Sequence, residues 1–145
     1  MRTTVSMHLV NGNKSRVANQ RKLITSILLW TVQGVLALMF LFAGGMKLIL
    51  PIQLLLAQMP MPLPGLFVRF IGLAEVAGGL GLLLPGLLRI RPLLTPLAAL
   101  GLVLDMLGAT AYNLISGQIG SAVVTVVLGL ICVAIAYSRR AWAAR

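Results

Sequence analysis

This chain of 145 residues is poor in the side chains that most protein chemistry needs: it has one cysteine, one histidine and two acidic residues, and 10% of its residues are charged. The lone Cys132, in the middle of an apolar run, excludes a Cys-x-x-Cys thiol relay within the chain and reads as a small hydrophobe. The lone His8 lies in the polar N-terminal segment, so no intramembrane haem with histidine ligands and no Glu-x-x-His metal site can be assembled. No metal site is expected. The glycines of Gly78-Gly79-Leu80-Gly81 sit inside an apolar run with no strand before them and no lysine after, which excludes a phosphate-binding loop. Soluble domains carry about a quarter charged residues. With 59% hydrophobic residues and a mean hydropathy of +1.02, a water-soluble globular fold is excluded as well.

Twelve Lys and Arg against two acids give a net charge of +10. Nucleic-acid binders carry such charge on a polar face, whereas here the basic residues stand mostly at the ends of apolar runs. The expected partner is therefore a lipid bilayer and not a nucleic acid. Four continuous apolar runs reach the roughly 20 residues that a helix needs to cross a bilayer: Leu23 to Lys47, Leu66 to Leu88, Leu93 to Leu114 and Ile119 to Tyr137. None alternates in polarity as a barrel strand would, so the fold expected is all-α, a four-helix transmembrane bundle.

Arg2, Lys14, Arg16, Arg21 and Lys22 precede the first span, Arg89 and Arg91 separate the second and third, and Arg139, Arg140 and Arg145 follow the fourth. The positive-inside bias makes this common side, and so both termini, cytoplasmic. The domain organisation expected is a basic cytoplasmic tail over 1–22, a membrane domain over 23–138 and a basic C-terminus over 139–145. The first span lacks a small-x-small cleavage site and is too long for a signal peptide, so it reads as a retained helix. Between the first two spans, Pro51, Pro60, Pro62 and Pro64 bracket Ile52 to Met59. That stretch is too short to span and reads as an interfacial helix or a lid over the outer mouth of the bundle.

Both acids, Glu75 and Asp105, fall inside apolar spans. A carboxylate there costs about 2.5 to 3.5 kcal/mol to insert, so such residues face the bundle interior and find a partner or stay protonated. At 1.5 Å per residue both lie about 13 to 14 Å below the outer boundary. Lys47 and Arg69 stand above them, which makes a neutral set of four charges on three helices. Arg69 and Glu75, six positions apart, are about 120° apart around their helix and do not form a direct pair. The Glu75 face carries Gly72, Gly78, Gly79 and Leu82. In span one Gln33, Ala37, Phe40, Gly44 and Lys47 form a stripe, and in span three Asp105 shares its face with Leu102, Gly108, Ala109 and Tyr112, with Asn113 beside it. These faces are expected to meet around a narrow pocket walled by Phe40 and Tyr112. The alternative is that the four charges only pair to fix helix register.

The runs Phe42-Ala43-Gly44-Gly45-Met46-Lys47-Leu48, Phe67-Val68-Arg69-Phe70-Ile71-Gly72-Leu73-Ala74-Glu75, the glycine-rich stretch from Gly78 to Pro85, Leu94-Thr95-Pro96-Leu97-Ala98-Ala99 and Met106-Leu107-Gly108-Ala109 together resemble the DoxX-like family of four-helix bacterial membrane proteins. The resemblance covers about residues 25 to 138. It implies a location in the bacterial inner membrane, and its relatives include a subunit of a thiosulfate:quinone oxidoreductase and membrane partners of thiol and superoxide defence proteins. Lys47, Arg69 and Glu75 match the family's polar positions. Asn113 stands where many relatives have histidine, and Asp105 is at a position not usually acidic.

Three functions follow as expectations. In the first, the protein is a quinone-associated subunit of a membrane oxidoreductase, with no covalent cofactor and with an oxidoreductase partner subunit or a second copy of itself. Glu75 is then the proton-exchanging, catalytic group, Lys47 and Arg69 orient the ligand, and Asp105, Tyr112 and Asn113 complete the binding site for the quinone. In the second, it is a non-catalytic scaffold or assembly subunit. In the third, it is a small proton-coupled transporter, a reading opposed by the cations flanking Glu75.

Overall fold

The computed structural model describes the backbone of residues 2–88, 90–91 and 93–143, and the side chains of 14–140 among them. Arg89 and Arg145 lie outside the described residues, as do the side chains of Arg2, His8 and Trp142. The described chain is helical, in the order α1 (Arg2–Ile49), α2 (Ile52–Ala57), α3 (Gly65–Leu87), α4 (Leu94–Ile115) and α5 (Ile119–Ala143). Four helices are long and apolar enough to cross a membrane, with spans at Lys14–Ile49, Gly65–Leu87, Leu94–Ile115 and Ile119–Arg140. The four spans expected from hydropathy are thus present, and the three later ones begin or end within one to three residues of their expected limits.

The N-terminal segment, expected as a basic cytoplasmic tail, is helical, and α1 runs back to Arg2. Extending a helix that already exists costs little compared with nucleating one, and residues 2–49 hold no proline to stop it. The chain divides into two compact units, Met1–Val32 and Gln33–Arg145. In the first, Lys14 to Lys22 are exposed, and the Thr25 and Thr31 hydroxyls donate to the carbonyls of Arg21 and Ile27 at 2.8 and 2.9 Å.

The second unit holds the bundle. Prolines punctuate it: Pro51 and Pro64 are the N-caps of α2 and α3, where their missing N–H is no loss. Pro85 lies within α3 two residues before its end, and Pro96 is in the first turn of α4. Gly117, at φ 73°, makes the tight turn from α4 to α5. The core is built where four helices meet: Leu36, Ala37 and Phe40 of α1, Leu82 of α3, Ala99, Leu102 and Met106 of α4, and Cys132, Ile135 and Ala136 of α5. Cys132 is fully buried there, as its reading as a small hydrophobe requires. Facing out are large apolar side chains such as Leu104, Leu107, Leu130 and Val133, a surface that water would not tolerate and hydrocarbon does. The Thr110 and Thr125 hydroxyls, 2.8 Å apart, bond α4 to α5.

The helices α1 and α3 cross with their backbones close together. A Cβ on Gly44 would lie 2.6 Å from the Gly72 carbonyl oxygen, and one on Gly72 would lie 2.8 Å from Lys47 Cβ. Small residues let backbones approach in this way, and in lipid such packing replaces the hydrophobic drive. Gly45, one residue on, has nothing within 4 Å of a Cβ. Gly44→Ala should therefore lower the unfolding free energy in detergent micelles by about 1 to 3 kcal/mol, through overpacking against an unyielding backbone. Gly45→Ala should leave it unchanged or slightly higher, and equal effects of the two changes would contradict this packing.

Candidate functional site

Along α1, Lys47 follows Gly44 by three residues, and along α3, Glu75 follows Gly72 by three. Residues three apart share a helix face, so the crossing that joins the two glycines also joins the two charges. The Lys47 Nζ donates to Glu75 Oε1 in an ion pair. The Glu75 side chain is only 5% exposed and that of Lys47 26%. The other oxygen, Glu75 Oε2, is buried and has no hydrogen-bond partner among the described residues, and the same is true of Asp105 Oδ2 on α4.

Arg69 is directed to the end of α1. Its guanidinium donates to the carbonyls of Lys47 at 2.7 Å, of Leu50 at 2.8 Å, and of Leu48. These carbonyls belong to the end of α1 and its first following residue, where a helix leaves acceptors without intrahelical donors and carries partial negative charge. Arg69 is thus a clamp on the end of α1. Its separation from Glu75 around α3 agrees with the face arithmetic.

Beside the ion pair is a cavity of about 620 Å³, bounded chiefly by α3 and α4. Lys47, Glu75, Asp105, Tyr112 and Asn113 all line it, so five of the six residues singled out from sequence are brought together, and Arg69 is not among the lining residues. The rest of the wall is largely apolar and includes Phe67, Phe70, Ile71 and Leu104. Phe40, expected as a wall, is instead buried in the core. Tyr112 reaches the connector between α2 and α3: its hydroxyl donates to the Met61 carbonyl at 2.8 Å and accepts from the Met61 N–H at 3.2 Å. Met59 and Leu63, on either side of Met61, line the cavity, so the connector covers part of it, as a lid would.

The apolar wall was missed by a reading directed at charges. Its signal is present: Phe67, Phe70, Ile71 and Ala74 recur at the i, i+3, i+4, i+7 spacing of one α3 face, and Gly101, Leu104, Asp105 and Gly108 do so on α4. The space exists because Ala74, Gly101 and Gly108 bring little side chain to the α3 and α4 walls. Phe67, Phe70 and Leu104 are also half or more exposed on the outer surface, so the edge of the cavity reaches the face that meets lipid. A second buried polar contact lies further along α1. Gln33 Nε2 donates to the Leu82 carbonyl, and Arg139 Nε donates to Gln33 Oε1 at 3.1 Å. Gln33 precedes Lys47 by 14 residues, about 21 Å along a helix, so this contact is separate from the cavity.

Four spanning helices, an apolar exterior and an ion pair buried between two of them define a multi-pass α-helical membrane protein. A family model described as the DoxX-like family matches residues 31–135, and the chain belongs to that family. No curated protein and no solved structure matches it significantly.

The clamp assigned to Arg69 predicts the outcome of its replacement. Arg69→Met should cost about 1 to 3 kcal/mol of stability in micelles, because part-buried charged hydrogen bonds are lost and carbonyls are left without donors. Arg69→Lys should recover only part of this, since an ammonium cannot span three carbonyls as a planar fork does. An unchanged unfolding transition in Arg69→Met would show that the clamp contributes nothing.

Proposed function

We propose that the protein is a membrane subunit of a quinone-linked oxidoreductase of the bacterial inner membrane, and that the cavity between α3 and α4 receives the quinone. The observation that carries this reading is a largely apolar cavity that reaches the lipid-facing surface and contains a buried carboxyl oxygen without a partner. A lipid-soluble molecule with a polar head fits such a space, because the wall accepts its ring and tail while a few convergent polar groups orient its head. A bound quinone would supply the two-electron, two-proton couple that the chain's own side chains lack. With one cysteine and one histidine in the sequence, the electrons would pass to or from a redox centre in a partner subunit.

In this reading Glu75 accepts and releases a proton at Oε2, the oxygen that Lys47 does not hold. Lys47 fixes the carboxylate in place, and its remaining N–H groups face an acceptor on the ligand. Asp105 and Asn113 add polar contacts on the α4 wall, and Tyr112 holds the connector that shields this end from water. The basic residues ahead of the first apolar run, between α3 and α4 and after the last apolar run support cytoplasmic termini, which would set the cavity in the outer half of the membrane. The close-packed crossing that holds the ion pair favours one other reading, a non-catalytic scaffold whose charges only fix α1 against α3.

A photoreactive quinone analogue added to membranes containing the protein should label peptides carrying Phe67, Phe70 or Leu104, and excess unmodified quinone should suppress the labelling. Glu75→Gln, which keeps an acceptor for Lys47, should weaken the competition about tenfold. Labelling elsewhere, or competition unchanged by Glu75→Gln, would favour the scaffold. For the orientation, Gln118→Cys should react with a membrane-impermeant maleimide added outside intact cells, against the buried Cys132 as background. Reaction only after permeabilisation would invert the topology.

A further inference from the structure

The polar groups of the cavity do not balance, and the imbalance carries information about what it binds. Two buried carboxyl oxygens, Glu75 Oε2 and Asp105 Oδ2, have no hydrogen-bond donor among the described residues. Neither oxygen takes a bond from the donors around them, although Lys47 keeps further N–H groups and Asn113 an amide at the cavity. Lys47 gives one hydrogen bond to the other Glu75 oxygen, and the Tyr112 hydroxyl gives its proton to Met61. Arg69 is turned to the end of α1. An ionised carboxylate can only accept, and a buried acceptor left unmatched is costly in a low-dielectric site.

We infer that the cavity is selective for the reduced, hydroxylated form of a quinone headgroup over the oxidised form, with one of the two unmatched oxygens, Glu75 Oε2 or Asp105 Oδ2, accepting from a given ring hydroxyl. This rests on the reading of the cavity as a quinone site. A ring carbonyl can only accept. It can meet Lys47 or the Asn113 amide, but it leaves both carboxyl oxygens without a donor. A ring hydroxyl both donates and accepts, so it can satisfy a carboxylate and still take a hydrogen bond from Lys47. Sites built to pair a hydroxyl discriminate strongly against the analogue that lacks it, because their own buried groups are then left unpaired. Asp105 is the residue that tilts the balance. Glu75 and Lys47 pair in charge, and Asp105 adds a second buried oxygen that has no donor among the described residues.

The test compares a decyl-tailed benzoquinol, kept reduced under argon, with its oxidised benzoquinone, by equilibrium binding to the full chain in lipid nanodiscs. Dioleoylglycerol, a membrane lipid that also presents a hydroxyl on an apolar body, is the third probe. The quinol should bind about tenfold or more tightly than the quinone, a preference that corresponds to one good charge-assisted hydrogen bond. Asp105→Asn, which supplies a donor in place of an acceptor, should reduce the preference to threefold or less while the variant's melting profile stays cooperative. Equal binding of the two forms, or tighter binding of the quinone, would overturn the inference and leave the quinone site standing. Binding of neither form, or of dioleoylglycerol above both, would overturn the quinone reading itself. The wild-type comparison needs no variant, so a failure of Asp105→Asn to fold leaves the test decisive.

Discussion

A carboxylate placed in hydrocarbon has to be matched by a cation or by donors, and in this protein the Lys47–Glu75 ion pair meets that requirement at the glycine-lined crossing of α1 and α3. The order of cause runs from the small residues upward. Gly44 and Gly72 remove the side chains that would hold α1 and α3 apart, and their neighbours three residues on are thereby brought into contact. The match is incomplete, since Lys47 engages one oxygen of Glu75 and leaves the other buried without a partner among the described residues. Packing and chemistry thus share one contact, and the same glycines that set the crossing also fix where a proton-exchanging group can sit.

The rest of the site is arranged around that crossing by groups with separate tasks. Arg69 closes the end of α1, which otherwise would present free carbonyls next to the ion pair. Tyr112 fixes the connector at Met61, and the connector places Met59 and Leu63 against the cavity. Neither task requires ligand, and both keep water from the buried charges. Further along α1, the hydrogen bonds of Gln33 to Leu82 and of Arg139 to Gln33 tie α3 and α5 to α1. Two polar fixings on α1 therefore hold the apolar helices in register, where contacts between aliphatic side chains alone would allow sliding.

The fold was legible because hydropathy over about 20 residues reports directly on a span, and prolines mark where helices start. Lys47, Glu75, Asp105, Tyr112 and Asn113 were legible because charge and hydrogen-bonding capacity inside a span require an inward face. What sequence could not supply was the direction of the long Arg69 side chain. Its guanidinium can reach either the anions or the end of α1, and only the position of α1 decides. Phe40 was misplaced for a related reason: it shares a stripe with Lys47, but that stripe passes from the core to the edge of the bundle over the seven residues between them. The extent of α1 was missed because hydropathy marks where a helix meets lipid, not where it ends. The family match over residues 31–135 falls on the bundle and leaves the first 30 residues outside it.

The organisation of the bundle and its cavity requires that Lys47 and Glu75 depend on one another. A double-mutant cycle of Lys47→Met, Glu75→Gln and the double variant, read from reversible unfolding in mixed micelles, measures this directly. Lys47→Met alone should cost about 3 to 5 kcal/mol by leaving a buried carboxylate uncompensated, and Glu75→Gln in the same chain should restore much of the loss. Additive losses, with no coupling between the two positions, would contradict the claim that this pair organises the bundle and its cavity.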